Sequence, residues 1–581
     1  MGKAVALDGS NPDLHLGLGQ VLRSTGALDE AANAVRKAVA LQPDHAEAHM
    51  NLGNILLELN DVVHAIASLR QAVKLKPGFA LAHHNLGHAY RTAGRLEEAA
   101  QSFRQSLACN PGAVDSLFSL GLVLKDQERF EDALECLQRV HQLRPGDAPC
   151  MRAIGLLLRD MNCPQEAVEH LTGAIELEPD HPDAHAGLAG ALESLNRRDK
   201  AGEAARKALA LDSRHIPATI VLARIERRDG QGEAARDRLR RLVEDDVALG
   251  AVAFSELGQT HDRLGEYDEA FGAFTVANRH MSDKAGDAAP AWRANYLRLI
   301  NRYRQWYDPS RAARWKPAEN PAYPAPPVFF VGFPRSGTTL LEQILDSHLN
   351  LATSGEEPLV THLHQALPEI LGRDDAYPEV LDGLQPDEVA GLGDWYMDEA
   401  KRRMGIDLVS RRLIDKLPLN IVHLGFVRRV FPSAPVIVAL RDPRDVILSC
   451  FMQNFRVNQA MAHFLTIEGT ARLYAAVMEL WLHYRSDAGL NAIEYRYEDL
   501  VADTEGTARR IFDFLGEPWD ESVLQYQSRA SERFVSTPSY ADVSAPIYDR
   551  SIGRWRNYAR QLAPALPIVA PFVREFGYSE E

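Results

Sequence analysis

Small and apolar positions recur along the first half of the chain with a period of 34 residues. Glycine stands at Gly19, Gly53, Gly87, Gly121 and Gly155, and alanine at Ala31, Ala65, Ala99, Ala133, Ala167 and Ala201. Proline keeps the same spacing at Pro43, Pro77, Pro111, Pro145 and Pro179. Three residue types with one period and one phase mark a structural repeat. Each type has a physical task. Leu52-Gly53 falls in the middle of a predicted helix, where a residue without a side chain lets a second helix approach closely. Ala65 and Ala72 lie seven apart, on one face of that second helix. Pro77 stops it, because proline cannot extend the hydrogen-bond ladder. The pattern predicts helix pairs at 12–45, 46–79, 80–113, 114–147, 148–181 and 182–215. The sixth is worn, with Ala189 in place of glycine and Ser213 in place of proline. A degenerate pair follows at 216–250, and Leu257-Gly258, Ala270, Phe274 and Ala277 restore the pattern at 251–284.

This pattern resembles the tetratricopeptide repeat. The resemblance implies about eight helix pairs stacked over residues 1–284 into an all-α solenoid with a concave groove. Such arrays act as scaffolds, and their grooves can take an extended peptide or a protein partner. Asn51 and Asn85 occupy equivalent first-helix positions from which a peptide backbone could be held; Ser119, Ala153 and Gly187 follow in later units, so that ladder is short. His15, His49, His83 and His185 also recur in phase and read as packing residues, since a spacing of 34 does not assemble a metal site. A homodimer is compatible with such a solenoid.

The pattern changes at about 285. Trp292 to Trp315 predicts one or two helices, and five prolines among the twelve residues 316–327 predict a semi-rigid linker. Val328–Gly332 is then a short, wholly apolar run, as in a strand buried on both faces. A turn at 333–339 leads into a helix from Leu340 with Leu341, Ile344 and Leu345 on one side. Further strands are predicted at Val436–Leu440 and Ala492–Tyr495, and helices at 467–484 and 504–515. Alternating strands and helices imply a three-layer α/β domain with a parallel sheet over 328–581.

Composition narrows the function. The 64 Lys and Arg against 80 Asp and Glu leave a formal net charge of -16, which argues against a nucleic-acid protein held by a general basic surface. None of the five cysteines forms a CxxC pair, so neither a disulfide framework nor a zinc site is expected. Residues 1–8 lack the apolar run of a signal peptide, and no stretch is long and apolar enough to span a membrane. A cytoplasmic location is the expectation.

The chemistry is concentrated after the first predicted strand. Gly332 to Thr339 reads G-x-x-x-x-G-T-T, a strand–loop–helix that aims backbone N–H groups at an anion. Nucleoside-triphosphate loops need lysine where Thr338 stands. Here the cation is Arg335, inside the loop. The run Pro334 to Leu341 closely resembles the 5′-phosphosulfate loop of sulfotransferases, whose donor is 3′-phosphoadenosine 5′-phosphosulfate (PAPS) and whose product is PAP. The family's second element, an arginine after a strand and a serine eight residues on, is matched by Arg441 and Ser449. Together the two elements imply a P-loop-like sulfotransferase domain similar to the tyrosylprotein branch and to repeat-fused bacterial relatives.

The resemblance implies roles for individual residues. Arg335, Ser336, Gly337, Thr338 and Thr339 would hold the 5′-phosphosulfate, and Arg441 with Ser449 the 3′-phosphate. Arg441 and Arg444 have a rival reading as a surface ion-pair cluster with Asp442 and Asp445. The base comes from Gly355-Glu356-Glu357: the motif selects Glu357, and the distance from Asp346 and His348 selects Glu356. A histidine base, as in small-molecule relatives, would fall to His348, His362 or His364. Lys416 is the cation for the leaving oxygen, 25 residues before Arg441. Ile552-Gly553-Arg554-Trp555 resembles the segment that returns to the nucleotide, and it sets Ser539, or its rival Ser536, near the transferred group. Tyr497 ends a strand on the nucleotide side. No metal is expected. Gln453 replaces a further arginine of the tyrosylprotein branch, and that branch's loop cysteines and secretory anchor are not expected, which sets the acceptor apart from a Golgi-type tyrosine. The implied activity is sulfuryl transfer to an acceptor hydroxyl, with the repeats recruiting the acceptor or a partner. The rival reading is a non-catalytic repeat scaffold whose degenerate domain at most binds PAP.

Overall fold

The computed structural model describes residues 8–245, 250–318, 323, 325–373, 377–405, 408, 410–526 and 550–580. Its helices and sheet fall into two compact units, residues 1–221 and 222–581.

In the first unit each repeat is a helix pair, as in Ala46–Glu58 with Val62–Leu75. The periodic residues account for the pairing. Ala31, Ala65, Ala99, Ala133, Ala167 and Ala201 are all 0% exposed. A Cβ on Gly53 would sit 2.5 Å from Leu69 Cγ, so only glycine permits that approach. A further periodic feature emerges in the turn inside each pair, where Gly26, Asn60, Gly94, Glu128, Asn162 and Asn196 all take positive φ. Glycine and asparagine tolerate that conformation best. The four in-phase histidines tie the first helices that carry them to the preceding turn. His15, His49, His83 and His185 bond through Nε2 to the carbonyls of Gly9, Pro43, Pro77 and Pro179 at 2.7–3.0 Å.

In the second unit, five parallel strands form one sheet in the order β2-β3-β1-β4-β5. They are β1 (Val328–Gly332), β2 (Leu351–Thr353), β3 (Arg412–Lys416), β4 (Val436–Leu440) and β5 (Ala492–Arg496). β2 and β3 are additions to the sequence reading. β2 is only three residues long, and β3 is bounded by arginine and lysine, so neither shows the apolar run that marks β1 and β4. Alternate residues of β1 face two cores. Val328 and Phe330 join Ile344, Leu345 and Phe512 on one face, and Phe329 and Val331 join Tyr396, Leu424 and Trp481 on the other. This is the three-layer arrangement.

Helices Ala251–Arg263, Tyr267–Ala285 and Ala288–Trp306 belong to this unit. Phe274 packs on Gly258 as in a repeat pair. The outer faces of the same helices close on the α/β layers. Phe271 stacks on Phe451 at 4.8 Å, Asn278 Nδ2 donates to the Phe451 carbonyl at 3.0 Å, and Tyr303 and Trp306 are buried with Phe329 and Tyr484. Among the described residues, no helix is long and apolar enough to cross a membrane.

Candidate active site

From β1 the chain crosses to one side of the sheet, towards β2 and β3, and from β4 to the other, towards β5. Ligands of open α/β sheets bind in the crevice at such a switch point, outside the carboxyl ends of the strands. Both motif loops open onto it.

The loop after β1 is held tightly. Arg335 has φ 68 and Gly337 φ 86. Helix Thr338–Asp346 begins at Gly337, which gives its first turn no side-chain cap. Gly337, Thr338 and Thr339 line the crevice, so an anion there would meet uncapped N–H groups and the favourable end of the helix dipole. A Cβ on Gly337 would lie 2.2 Å from Tyr497 Cδ2, so the Tyr497 ring packs directly on the loop backbone. Gly337→Ala is expected to displace Tyr497 and to strain the backbone by about 1–3 kcal/mol. Titration with PAP should show weakened binding together with a lower melting temperature.

The loop after β4 reaches the same place. Arg335 Nε donates to Ser449 Oγ at 3.1 Å, and Arg441 Nη1 donates to the Arg335 carbonyl at 3.0 Å. Arg441 also lies over the Tyr497 ring at 5.0 Å and donates through Nη2 to the Ser551 carbonyl. Its Nε is buried and bonds to no protein atom among the described residues, as suits a guanidinium that awaits an anion. Arg444 is engaged differently. It forks onto Asp442 and lies over Trp555 at 3.9 Å, so of the two arginines it is the one in an ion pair with Asp442. Asp445 accepts from the N–H groups of Gly553 at 2.6 Å and Trp555 at 2.8 Å, which ties the C-terminal segment to the helix that carries Ser449.

These loops line a cavity of about 1050 Å³. Arg335, Gly337, Thr338, Thr339, Glu356, Arg441, Ser449, Tyr497 and Arg554 are on its wall. Ser336 is buried beneath the loop. Tyr267, Phe274, Tyr296, Leu299 and Phe455 give the wall an apolar, aromatic part. Arg554 is paired with Asp262 of helix Ala251–Arg263, at 2.7 Å from Nη2 to Oδ2, and Tyr558 donates to the same carboxylate at 2.7 Å. Burial alone would weaken the Arg554 charge, but Asp262 outweighs it and holds the pKa above the usual arginine value.

The two glutamates part company. Glu356 is on the cavity wall and its Oε1 accepts from Lys416 Nζ at 2.9 Å. Glu357 is off the wall, and its Oε2 lies 3.7 Å from Arg403. The Lys416 side chain is 0% exposed and also off the wall, clamped between Glu356 and Glu342, whose Oε2 is 3.1 Å away. Burial works against the ammonium, yet the two carboxylates together hold its pKa above the ordinary lysine value. Burial lifts Glu342 itself to about 7, against the pull of Lys416. Glu342 and Asp262 were not among the sequence candidates. For Glu342 the available signal was its place one turn after Thr338 on the loop helix.

The histidines are spread out. His348 is buried between the Pro518 carbonyl and the Asn350 N–H, and His362 lies 3.7 Å from Glu399. His364 lines the cavity, where burial lowers its pKa, and its ring packs on Tyr377. Ser539 and Ser536 lie outside the described residues. No group of three or more His, Cys, Asp or Glu side chains is placed to hold a metal ion among the described residues.

With this geometry, residues 326–521 match the sulfotransferase family. Residues 2–216 match the cilia and flagella-associated protein 70 C-terminal domain, and 220–283 the tetratricopeptide repeat. The chain thus joins a segment that matches the sulfotransferase family to a run of tetratricopeptide repeats. An uncharacterized protein of Aquifex aeolicus is 30% identical over 53% of this chain and 40% of its own length, so the chain spans well under half of that relative. Protein-tyrosine sulfotransferase 1 of Danio rerio is 24% identical over 44% of this chain and 72% of its own. The crystal structure of YrrB, a tetratricopeptide-repeat protein with an unusual peptide-binding site, is similar over 32% of this chain and 96% of its own at 27% identity, with a TM-score of 0.29. The sulfotransferase-family domain is thus the part of the chain that carries the two anion loops and the Glu356–Lys416 pair.

Proposed function

We propose that the protein is a PAPS-dependent sulfotransferase acting on an acceptor hydroxyl, and that its repeats recruit the acceptor or a partner in the cytoplasm. The observation that carries this reading is the junction of Arg335, Ser449 and Arg441 at one crevice, where two anion-binding loops approach within hydrogen-bond distance. Arg335 and the N–H groups at the start of helix Thr338–Asp346 would hold the 5′-phosphosulfate. Arg441 and Ser449 would hold the 3′-phosphate, with Tyr497 and Arg554 flanking the nucleotide. The cavity, at about 1050 Å³, is of the size of a large small-molecule site, roughly 300–1,000 Å³, and so has room for a nucleotide donor.

The donor supplies a sulfuryl group on a good leaving oxygen. In the transfer the acceptor oxygen bonds to sulfur as the bond from sulfur to the 5′-phosphate oxygen breaks; PAP and a sulfate ester result. Glu356 takes the acceptor proton, as its place on the wall allows. The loop N–H groups and Arg335 meet the charge that grows on the departing side. Lys416, expected from the sequence at the leaving oxygen, is buried off the wall and acts instead through Glu356, which it holds on the wall. The apolar wall from helices Tyr267–Ala285 and Ala288–Trp306 excludes water, which would otherwise compete as acceptor.

The test has two arms. PAP is expected to raise the melting temperature and to bind in calorimetry, and ³⁵S from labelled PAPS is expected to enter one class of acceptor when a cell extract is sorted by size and chemistry. Absence of PAP binding would end the sulfotransferase reading. Binding with no labelled product in any class would leave a nucleotide-binding scaffold.

A further inference from the structure

We propose that Glu342 is a positioning residue for the transfer step: it is the standing counter-ion that keeps Lys416 charged and in place while Glu356 exchanges its proton. This rests on the sulfotransferase reading of the same cavity.

The geometry is a triad of charges, two of them buried and the third, Glu356, open to the cavity. Lys416 leaves the end of β3, Glu356 follows β2, and Glu342 projects from the loop helix one turn after Thr338. The ammonium is within 2.9 Å of Glu356 and 3.1 Å of Glu342. Lys416 donates its hydrogen bond to Glu356, and Glu342 Oε2 has no hydrogen-bond partner among the described residues, so Glu342 meets the ammonium as an ion pair alone. The two carboxylates are unequal. The Glu342 side chain is 4% exposed and closed off from the cavity, whereas that of Glu356 is 42% exposed and faces it. One can meet an acceptor and the other cannot.

That inequality has a consequence for proton transfer. When Glu356 takes a proton it becomes neutral. A buried ammonium facing Glu356 alone would then have no counter-charge, a strongly unfavourable state. Proton transfer to Glu356 would carry the cost of that unpaired charge. With Glu342 present, the Lys416–Glu342 pair stays neutral before and after the step. Glu356 is then the surplus carboxylate, free to accept the acceptor proton and return it to solvent when product leaves.

The charged groups facing Glu342 are Lys416 and Glu356 from the neighbouring elements and Asp346 from its own helix. Asp346 lies one turn on, accepting from the Thr353 N–H at 3.1 Å and 3.8 Å from Arg411. Asp415, beside Lys416 on β3, is engaged by Tyr396 and Asn420. Burial, with Glu356 and Asp346 reinforcing it, raises Glu342 to about 7. Near neutral pH, loss of its proton therefore releases Glu356 from its tie to Lys416, and the rate should climb with pH through that region.

Glu342→Gln keeps the shape and removes the charge. Native protein and variant are compared in three measurements: PAP affinity by calorimetry, kcat across pH for ³⁵S transfer from PAPS to phenol, whose hydroxyl stays protonated through neutral pH, and melting temperature across pH. The variant is expected to bind PAP like the native protein and to lose about tenfold or more in kcat with little change in KM. The acid limb near pH 7 should disappear from its rate profile. Melting supplies a readout without catalysis. The folded carboxyl holds its proton between its ordinary value of 4.5 and about 7, where the unfolded chain has lost it, so native stability falls as pH rises through that window. Asp415, also raised to about 7 by burial, adds to the fall, and the variant should retain only that part. A variant with native kcat and a native acid limb would overturn the role of Glu342, as would an unchanged slope of melting temperature with pH. Native protein that fails to bind PAP would overturn the sulfotransferase reading instead. Should the glutamine variant not fold, Glu342→Asp, which keeps the charge at shorter reach, is expected to keep the acid limb at reduced kcat, and loss of that limb would count against the proposal.

Discussion

Glu356→Gln is expected to lower sulfuryl transfer by about 10²–10⁴-fold, the usual cost of losing a positioned general base, while PAP still binds. In the sequence the motif points to Glu357 and the spacing from Asp346 and His348 to Glu356. The fold separates them, because the residues after β2 turn Glu356 onto the cavity wall against Lys416 and send Glu357 towards Arg403. Glu357→Gln should therefore cost little in kcat, since it removes only a long, half-exposed ion pair, the kind worth about 0–1 kcal/mol. PAP binding to Glu356→Gln should be equal or tighter, because one negative charge leaves a cavity built for an anion. The pair of variants is read by ³⁵S transfer from PAPS alongside PAP calorimetry. A loss confined to Glu357→Gln would reverse the assignment.

How much of this was legible beforehand depends on where each specification resides. The repeats were legible because Gly53, Ala65 and Pro77 each solve a local problem and the solution recurs at a fixed spacing. The same signature is silent about what covers the outside of a helix pair. Gly258 and Phe274 mark residues 251–284 as a repeat, yet Phe271 and Asn278 close on Phe451, a contact no local pattern encodes. β1 and β4 show as continuous apolar runs because both of their faces are buried. β3 is hidden because its last two residues, Asp415 and Lys416, are buried charges, each compensated from elsewhere, by Tyr396 and Asn420 in one case and by two glutamates in the other.

The site divides along the same line. Arg335, Arg441 and Ser449 are written into short motifs, since an anion loop is a local structure. Glu342 is not, because a glutamate on a short helix reads as surface until the lysine that meets it is placed. Asp262 is more remote still: it stands 292 residues before Arg554, and only the packing of helix Ala251–Arg263 against the C-terminal segment joins them. A helix with the repeat signature thereby supplies the counter-ion of a cavity arginine. Where function depends on long-range charge pairing, the periodicity of the chain gives no notice of it.

The second large effect is expected at Arg441. Arg441→Leu removes the guanidinium whose buried Nε has no protein partner and whose Nη1 holds the Arg335 carbonyl. If that group meets the 3′-phosphate, its loss costs a charge-assisted hydrogen bond of about 1.5–3 kcal/mol, or roughly 10–100-fold in PAP affinity. A second cost comes through the loop. The Arg335 carbonyl loses its donor, the Ser551 carbonyl loses another, and Tyr497 loses the cation over its ring. Arg335 has positive φ, a conformation that persists only where surrounding contacts hold it. Transfer should therefore fall further than binding, because the loop that orients the sulfuryl group loosens along with the nucleotide's other end. Arg441→Lys separates the two costs: it restores a positive charge but not the fork that reaches two carbonyls. It should recover part of the PAP affinity and little of the rate. Adenosine 5′-phosphosulfate, which lacks the 3′-phosphate, supplies the control in calorimetry. The native protein should bind it less tightly than PAPS, and Arg441→Leu should erase most of that difference. If both variants distinguished the two nucleotides as well as the native protein does, Arg441 would have no part in reading the 3′-phosphate, and the assignment of the crevice between β1 and β4 would have to be redrawn.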